Sequence, residues 1–381
     1  MILLHTSDWH LGMMLRGGVT YGADQRFFIR EICRIAEEEK VDGILLAGDV
    51  FDKGIASQEG LQIYDRAMTT ICKTMGIQVY LIAGNHDGAE RLSQCYELLR
   101  DSGLHIAGAL TEQVYKENAG DTDIYLLPWI STDKVRSVYP EEAEKINNLE
   151  DAYRVVLDRY RESFTPGHRN ILVSHAYIVD AETSVSDRAA EVGRAAMVPA
   201  SLFDGFDYVA LGHLHGPQNV SEKIRYSGTP MAYSFGKEEK QKKSVTIINT
   251  ETMSRKIVEV LQLHRRTTLT GTCEELMKAD YPEDVRKGYV RLEVTDHYVG
   301  IEMMSAFHER YPNLLEVSGK TYDREDAKIT MSIEELEQAD NNPEVVFERY
   351  CRDILADMPN ERLMTLFRNA VSAYEKEVTE E

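Results

Sequence analysis

Side chains that bind metal ions occur in five groups along this chain, and each group follows an apolar run. The groups are Asp8/His10, Asp49/Asp52, Asn85/His86/Asp87, His175 and His213/His215. A strand that ends in a carboxylate, carboxamide or imidazole delivers that ligand to the carboxyl edge of its sheet, where open α/β sheets place their binding crevice. Five such strands can bring their ligands to one place. The pattern therefore predicts a site that holds two metal ions and hydrolyses a phosphate ester.

The ligand types indicate which ions fit. Carboxylates, a carboxamide and imidazoles without a thiolate suit octahedral Mn²⁺, Mg²⁺ or Fe²⁺ better than a tetrahedral structural zinc. We expect Mn²⁺. Two ions about 3.5–4 Å apart need a bridging carboxylate, and together they can activate a water and hold the attacking and leaving oxygens of a phosphoryl centre. Asp49, in the middle of the order, is the expected bridge.

Six further ligands divide between the two ions. We expect the first ion to be held by Asp8, His10 and His215, and the second by Asn85, His175 and His213. His86 is next to a ligand but is not needed as one. An imidazole in that place can carry a proton near neutral pH and donate it to the scissile phosphate or the leaving oxygen. Asp52 is expected to orient His86, and Asp87 to support a turn rather than to bind metal.

The apolar runs before the ligands are typical of buried strands. Residues 2–7, 43–48, 78–84, 170–174 and 208–212 are nearly continuous in apolar character, as in strands covered on both faces of a layered α/β or α+β domain. Helical spacing between them predicts helices over 23–40, 58–75, 91–101 and 149–164. Gly48, Gly84 and Gly212 each precede a ligand, where the missing Cβ permits close approach to the site.

With 381 residues the chain exceeds the usual size of one domain, and three regions are predicted. Residues 1–270 carry the metal ligands. Residues 271–340 contain strand, helix and strand patterns over 288–294, 301–310 and 313–318, a small α+β module. Residues 341–381 follow a turn-rich linker and contain two amphipathic helices. Their apolar stripe can pack on its own domain or bind a partner, and we favour the partner.

Charge and composition restrict the function classes. The net charge is −21, and residues 273–381 alone hold 26 Asp and Glu against 13 Lys and Arg. Because phosphate backbones are usually held by clustered cations, binding of a polyanion would need the metal ions and a partner. Five cysteines without a CxxC pair argue against a disulfide framework. No apolar run reaches membrane-spanning length, and the first strand begins at residue 2, so a cytoplasmic location is expected.

The motifs resemble those of the calcineurin-like metallophosphoesterase family in order and spacing. They are Asp8-x-His10, Gly48-Asp49-x-x-Asp52, Gly84-Asn85-His86-Asp87, His175 and Gly212-His213-x-His215. Residues 125–129 and 198–230 further resemble a branch of that family formed by bacterial DNA nucleases.

This resemblance implies a four-layer α/β/β/α sandwich with a capping domain for DNA recognition over 271–340. It implies Mn²⁺-dependent exonuclease action on double-stranded DNA ends and endonuclease action on hairpins, in repair, recombination and replication. It also implies an SMC-like ATPase partner that binds residues 341–381, and a homodimer with helices 58–75 and 91–101 as the candidate contact. The apolar faces of these helices could equally cover the sheet. Apart from the resemblance, Arg16, Lys53, Arg188 and Arg194 lie on predicted loops near the site, where they can contact phosphates or simply be solvated, and both alternatives stay open.

Two other functions stay open at this level. The same site could serve a small-molecule phosphodiesterase or a protein phosphatase, or the chain could be a subunit whose metals only tether DNA without cutting it. The two tryptophans do not discriminate between these functions. Trp9 could stack on a base, but core packing is the preferred interpretation for both Trp9 and Trp129.

Overall fold

The computed structural model describes residues 1–15, 20–179, 181–182, 197–296 and 301–319, and, near the end of the chain, residues 344, 347–348, 361, 363–369 and 371. These residues form two compact units. One comprises Met1–Thr267 and Glu283–Tyr289, and the other Thr268–Pro282 and the described residues from Val290 onward. Arg16, Arg188, Arg194 and most of residues 341–381 lie outside the described residues, so their predicted roles stay predictions, as does the division into three regions.

The strands, in chain order, are β1 (Ile2–Thr6), β2 (Gly43–Ala47), β3 (Gln78–Ile82), β4 (Leu104–Ala107), β5 (Lys116–Ala119), β6 (Thr122–Leu127), β7 (Arg169–His175), β8 (Tyr208–Gly212), β9 (Gln218–Asn219), β10 (Ile224–Tyr226), β11 (Ser244–Asn249), β12 (Arg255–Glu259), β13 (Arg266–Gly271), β14 (Tyr289–Val294) and β15 (Leu314–Gly319). The helices are α1 (Gly22–Glu38), α2 (Gln58–Met68), α3 (Ala89–Leu92), α4 (Tyr96–Arg100), α5 (Thr132–Val138), α6 (Leu149–Glu162), α7 (Lys237–Lys240), α8 (Cys273–Lys278), α9 (Glu283–Lys287) and α10 (Ile301–Arg310).

Two six-stranded sheets form the centre of the first unit. Their strand orders are β12-β11-β1-β2-β3-β4 and β5-β6-β7-β8-β10-β9. Strands β1 to β4 are mutually parallel, and so are β6, β7, β8 and β10. All five predicted ligand strands are present, and they belong to these parallel sets. Their carboxyl ends therefore lie along one edge of each sheet.

The two sheets pack face to face through an apolar layer. It contains Leu3, Leu45, Ala47, Tyr80, Ile82, Ala107, Ile124, Leu126, Ile171, Val173, Tyr208, Ala210 and Ile248. The alternate residues of the second sheet, including Leu172 and Val209, pack on helix α6 through its buried Tyr153, Val156 and Tyr160. On the other sheet the outward residues are buried as well, and helices α1 and α2 supply buried apolar faces. The predicted four-layer α/β/β/α arrangement is confirmed.

Two predicted helices differ from the observed ones. The helix predicted over 58–75 is α-helical only to Met68 and continues as a π-helix over Thr69–Thr74, where Met75 N–H donates to Thr70 O at 3.0 Å. The helix predicted over 91–101 is wrong as a single element. It is split into α3 and α4 because Cys95 lies in the left-handed region with φ of 60°, which interrupts the helical hydrogen-bond ladder.

The second unit contains a three-stranded sheet in the order β13-β14-β15, with β14 and β15 parallel. Helix α10 connects these two strands, as the strand, helix and strand pattern predicted. Its Arg310 donates to Leu276 O at 3.1 Å, which ties the end of α10 to helix α8. Among the described residues no helix is long and apolar enough to span a membrane.

Candidate metal centre

The five ligand groups lie at the carboxyl ends of their strands. Asp8 follows β1, Asp49 follows β2, Asn85 follows β3, His175 ends β7 and His213 directly follows β8. The first three come from one sheet and the last two from the other. His175 Nδ1 donates to Ala47 O at 2.8 Å, so the edges of the two sheets meet at this point. Strand order and sheet packing together assemble the cluster.

The predicted ligands of the first ion lie together and are buried. His10 Nε2 is 3.1 Å from His215 Nε2. Ligand atoms of Asp8, His10 and His215 all lie within 4.8 Å of one another. His10 Nε2 is also 3.9 Å from Asp49 Oδ2. The structure thus brings these three side chains together beside the expected bridging carboxylate.

The predicted ligands of the second ion also converge. Asn85 Oδ1 lies 3.0 Å from His175 Nε2 and 3.1 Å from His213 Nδ1. His175 Nε2 is 3.5 Å from Asp49 Oδ2. Asp49 therefore lies between the two predicted sets, with its Oδ2 within 4 Å of an imidazole nitrogen from each.

His86 lies at the same carboxylate. Its backbone N–H donates to Asp49 Oδ1 at 2.8 Å, and its Nε2 lies 3.8 Å from Asp49 Oδ2. Its Nδ1 donates at 2.8 Å to the main-chain carbonyl of Asp52, whereas the carboxylate was expected to orient the ring. A carbonyl can only accept, so Nδ1 carries hydrogen and Nε2 faces the site. His10, Asp49 and His86 also have ligand atoms within 4.8 Å of one another, so the geometry permits metal ligation by His86 too.

Asp87 has a structural role. Its carboxylate accepts from the backbone N–H groups of Val50 at 3.1 Å, Phe51 at 2.9 Å and Gly84 at 2.9 Å. These hydrogen bonds join the loops after β2 and β3. Burial raises the pKa of Asp87 to about 6, with the nearby Asp49 charge acting in the same direction. Its side chain thus supports a turn, the role expected for it, and does not belong to either ligand set.

Four of the predicted ligands have positive φ. The angles are 53° at Asp8, 44° at His10, 50° at Asp49 and 99° at His213. Side chains with a Cβ rarely adopt this region, and such strain persists only where surrounding contacts determine it. Here Asp8 N–H donates to Gly48 O at 3.0 Å and His10 N–H to Asp49 O at 3.0 Å. The backbone is therefore held in the conformation that aims these ligands.

The glycines before the ligands are needed for close approach. A Cβ on Gly212 would lie 1.9 Å from Ala47 O and 2.8 Å from His175 Nδ1. A Cβ on Gly84 would lie 2.2 Å from Asp49 Oδ1. Since these neighbours are backbone or ligand atoms, they cannot move without displacing the ligands.

We expect Gly212→Ala to destabilise the protein by about 1–3 kcal/mol and to weaken metal binding, because the new methyl group overlaps backbone beside His175. Thermal unfolding with and without added Mn²⁺ measures both effects. Gly54→Ala is the control, since its Cβ would meet nothing closer than 3.6 Å. Equal stability of the Gly212 and Gly54 variants would contradict the expectation.

Burial and the charges of neighbouring side chains together set the pKa values of the cluster. Burial raises the pKa of Asp8 to about 8. Burial would also raise the pKa of Asp49, but the imidazoles of His175, His10 and His86 outweigh it and hold that pKa well below its usual range. Burial opposes protonation of His175, yet the Asp49 charge raises its pKa to about 9. Burial lowers the pKa of His213 to about 3. The cluster therefore holds protons at Asp8 and His175 that a cation must displace.

We expect metal affinity to rise with pH. At pH 7 the groups with raised pKa, Asp8 at about 8 and His175 at about 9, are mostly protonated, and each must lose its proton to bind an ion. Affinity should therefore increase up to about pH 9 and fall steadily below it. Calorimetric titration with Mn²⁺ at pH 7, in buffers of different ionisation enthalpy, should report release of about one proton per such group. Affinity independent of pH between 6 and about 9 would contradict this.

The donor set fits divalent ions. The buried imidazole of His175 already donates through Nδ1 to a carbonyl, which leaves Nε2 for a metal, as metal-binding histidines usually do. Two carboxylates, a carboxamide and several imidazoles converge from two sheets, and none of the groups found among the described residues contains a cysteine. We therefore assign this cluster as a candidate site for two ions of the Mn²⁺, Mg²⁺ or Fe²⁺ type.

Two aromatic side chains lie beside the predicted ligands, a feature that was not predicted from the sequence. Trp129, expected in the core, is half-buried, and its ring stacks on His213 at 5.4 Å with an interplanar angle of 26°. Tyr233 lies edge-on to His10 at 5.7 Å, and its hydroxyl donates to Trp9 O at 2.6 Å. The Trp129 prediction is wrong because the loop after β6 reaches the ligands of the neighbouring strands. Trp9 is fully buried and packs on Phe28, as predicted.

The fold and the site together define the class. A family model described as calcineurin-like phosphoesterase matches residues 1–217, and a second, described as type 5 capsule protein repressor C-terminal domain, matches residues 258–354. The chain belongs to the calcineurin-like phosphoesterase family, and it is a metal-dependent phosphodiester hydrolase.

The chain is similar to the SbcD subunit of the nuclease SbcCD from Staphylococcus epidermidis, with 27% identity over 326 residues that cover 85% of this chain and 86% of the relative. The same protein of Staphylococcus saprophyticus matches with the same identity and coverage. The predicted resemblance to the bacterial nuclease branch is thereby confirmed. A solved structure of a Thermus thermophilus protein aligns with a TM-score of 0.38 and 11% identity, covering 68% of this chain and 99% of that chain.

Proposed function

We propose that this chain is the nuclease subunit of a DNA end-processing complex. It acts as a Mn²⁺-dependent exonuclease on double-stranded ends and an endonuclease on hairpins and single strands, in repair, recombination and replication. The observation that carries the proposal is the position of Asp49, whose Oδ2 lies 3.5 Å from His175 Nε2, 3.8 Å from His86 Nε2 and 3.9 Å from His10 Nε2. A nucleic acid as substrate is supported by the names of the two similar proteins, each of which is a subunit of a nuclease.

The residues divide by role. Asp8, His10 and His215 would hold one ion and Asn85, His175 and His213 the other, with Asp49 between them. Two such ions, when bound, supply an activated water and neutralise charge on the phosphodiester. The chain itself supplies a rigid frame, because the strained backbone at four ligands leaves them little freedom to rearrange.

His86 is the proposed proton donor. The carbonyl of Asp52 fixes its Nδ1–H, so its Nε2 is the atom that can donate to the scissile phosphate or the leaving oxygen. We assign Asp52 to this positioning role through its main chain. A donor held at one angle is more effective than a free one, because proton transfer requires close alignment.

Partners follow from charge and from the similar proteins. Because the net charge is −21, the chain has little electrostatic attraction for DNA away from the metals. Another subunit must therefore supply much of the affinity for DNA. We propose an SMC-like ATPase of the SbcC type as that subunit, bound by residues 341–381. We further propose a homodimer of this chain within a heterotetramer, and action in the cytoplasm on the nucleoid.

The test is digestion of end-labelled linear duplex and hairpin DNA with Mn²⁺, with and without the ATPase and ATP. We expect shortening of the duplex from its ends and opening of the hairpin. A phosphodiester dye and a phosphoserine peptide are compared in parallel. Turnover of the dye or the peptide without DNA cleavage would contradict the proposal and indicate a small-molecule phosphodiesterase or a phosphatase. DNA binding without any cleavage would indicate a tethering subunit.

A further inference from the structure

A buried ion pair lies directly behind one of the metal ligands. Glu238, in helix α7, and Lys243, just before β11, are both almost inaccessible to solvent. Lys243 Nζ donates to Glu238 Oε2 at 2.6 Å. Desolvation of two charges offsets most of their attraction, so such a pair is a weak source of stability. The contacts of the Glu238–Lys243 pair indicate a role in positioning a neighbouring residue.

The lysine holds the main chain of a ligand. Its Nζ also donates to His215 O at 2.9 Å and to Thr229 Oγ1 at 2.9 Å. Thr229 N–H donates to the same His215 carbonyl at 3.2 Å. The backbone at His215 is therefore anchored by an ammonium group that also donates to Glu238 and Thr229.

Glu238 lies near the imidazole ring of His215. Glu238 Oε1 accepts from Ser234 Oγ at 2.6 Å and lies 4.0 Å from His215 Nδ1. Its Oε2 also accepts from Tyr233 N–H at 3.1 Å, and the Tyr233 ring packs beside the rings of both His215 and His10. His215 thus presents Nε2 to His10 while its Nδ1 side faces a buried negative charge. Metal-binding imidazoles are usually supported at their second ring nitrogen, and here the support is electrostatic, because 4.0 Å exceeds hydrogen-bond distance.

We propose that Glu238 and Lys243 are positioning residues for the metal centre, which set the placement of His215 and hence the affinity for one of the two ions. The proposal deepens the proposed function and rests on its two-ion assignment. In this role the pair does not contact substrate. A selective effect is expected, because the second ligand set is held through other groups: Ala47 O fixes His175, and Asn85 Oδ1 lies against His175 and His213.

The experiment compares two double variants of the full chain. Glu238→Gln with Lys243→Met removes both buried charges and leaves neither unpaired. Lys242→Met with Glu259→Gln is the matched control, since Lys242 is adjacent in sequence but forms its 2.8 Å ion pair at the surface. Mn²⁺ binding is measured by calorimetry and by electron paramagnetic resonance, and folding by circular dichroism and thermal unfolding.

We expect the buried double variant to bind one ion roughly 10- to 100-fold more weakly and the other with unchanged affinity, whereas the control keeps both. Unchanged affinity for both ions, or equal loss of both, would overturn the proposal. If the double variant does not fold, the single variant Glu238→Asp tests the proposal instead. Its shorter side chain keeps the negative charge but places it farther from His215. The same selective loss is expected there, and normal binding of both ions would overturn the proposal.

These measurements do not depend on the substrate. A wild-type chain that binds two ions and cuts no DNA would refute the proposed nuclease function and leave this inference in place. A wild-type chain that binds fewer than two ions would refute the inference itself.

Discussion

Replacement of Asp49 by asparagine is expected to lower kcat/KM for a phosphodiester by about 10³-fold or more, the equivalent of several kcal/mol of transition-state stabilisation by metal ions. The reason is the shared position of its carboxylate. Oδ2 lies within 4 Å of imidazole nitrogens of His175, His86 and His10, which belong to both ligand sets and to the proposed proton donor. A neutral amide loses the charge that both ions require.

The measurement is steady-state hydrolysis of a phosphodiester dye and of linear duplex DNA, together with the number of Mn²⁺ ions bound. We expect the Asp49→Asn chain to bind fewer than two ions at concentrations that saturate the wild type. Asp65→Asn serves as the control, since Asp65 is an exposed carboxylate on helix α2. Full activity with two bound ions would show that Asp49 is not the bridge.

His86→Ala is expected to lower kcat for DNA cleavage about 10²- to 10⁴-fold while both ions stay bound, the usual contribution of a positioned general acid. The ring is held by its Nδ1–H to the Asp52 carbonyl, and its Nε2 faces the site beside Asp49. Removal of the ring takes away a proton donor without removing a member of either predicted ligand set.

Mn²⁺ stoichiometry separates this role from metal ligation. His10→Ala is the comparison, because His10 is assigned to the first ion and its loss should release that ion. Rescue of the His86→Ala chain by added imidazole would support proton donation. If the His86→Ala chain loses an ion as the His10→Ala chain does, His86 is a ligand, an arrangement that its distance from His10 and Asp49 also permits.

Several features of the site could be predicted from sequence because they are local. Each ligand directly follows an apolar strand, so residue type and position within a few residues identify it. Gly48, Gly84 and Gly212 are likewise adjacent to the ligands they accommodate. The parallel arrangement of buried strands then requires the ligands to meet at one edge. The strands and the family follow from such short-range patterns, whereas the division of the ligands between two ions stays a prediction.

Other features depend on contacts between distant parts of the chain. The break at Cys95 and the positive φ angles at Asp8 and Asp49 are features of the folded backbone that were not predicted from the sequence. The same holds for orientation of His86 by a carbonyl rather than a carboxylate, and for Trp129 at the site.

The sequence by itself determined which side chains can bind metal and which strands carry them, because strand burial and ligand chemistry are encoded within a few neighbouring residues. Only the tertiary structure decided how those ligands are aimed and supported. The supports come from other strands and loops, as with Lys243, which reaches the carbonyl of His215 from 28 residues away. Three-dimensional packing decides which groups these supporting residues contact. Local sequence patterns do not predict such contacts.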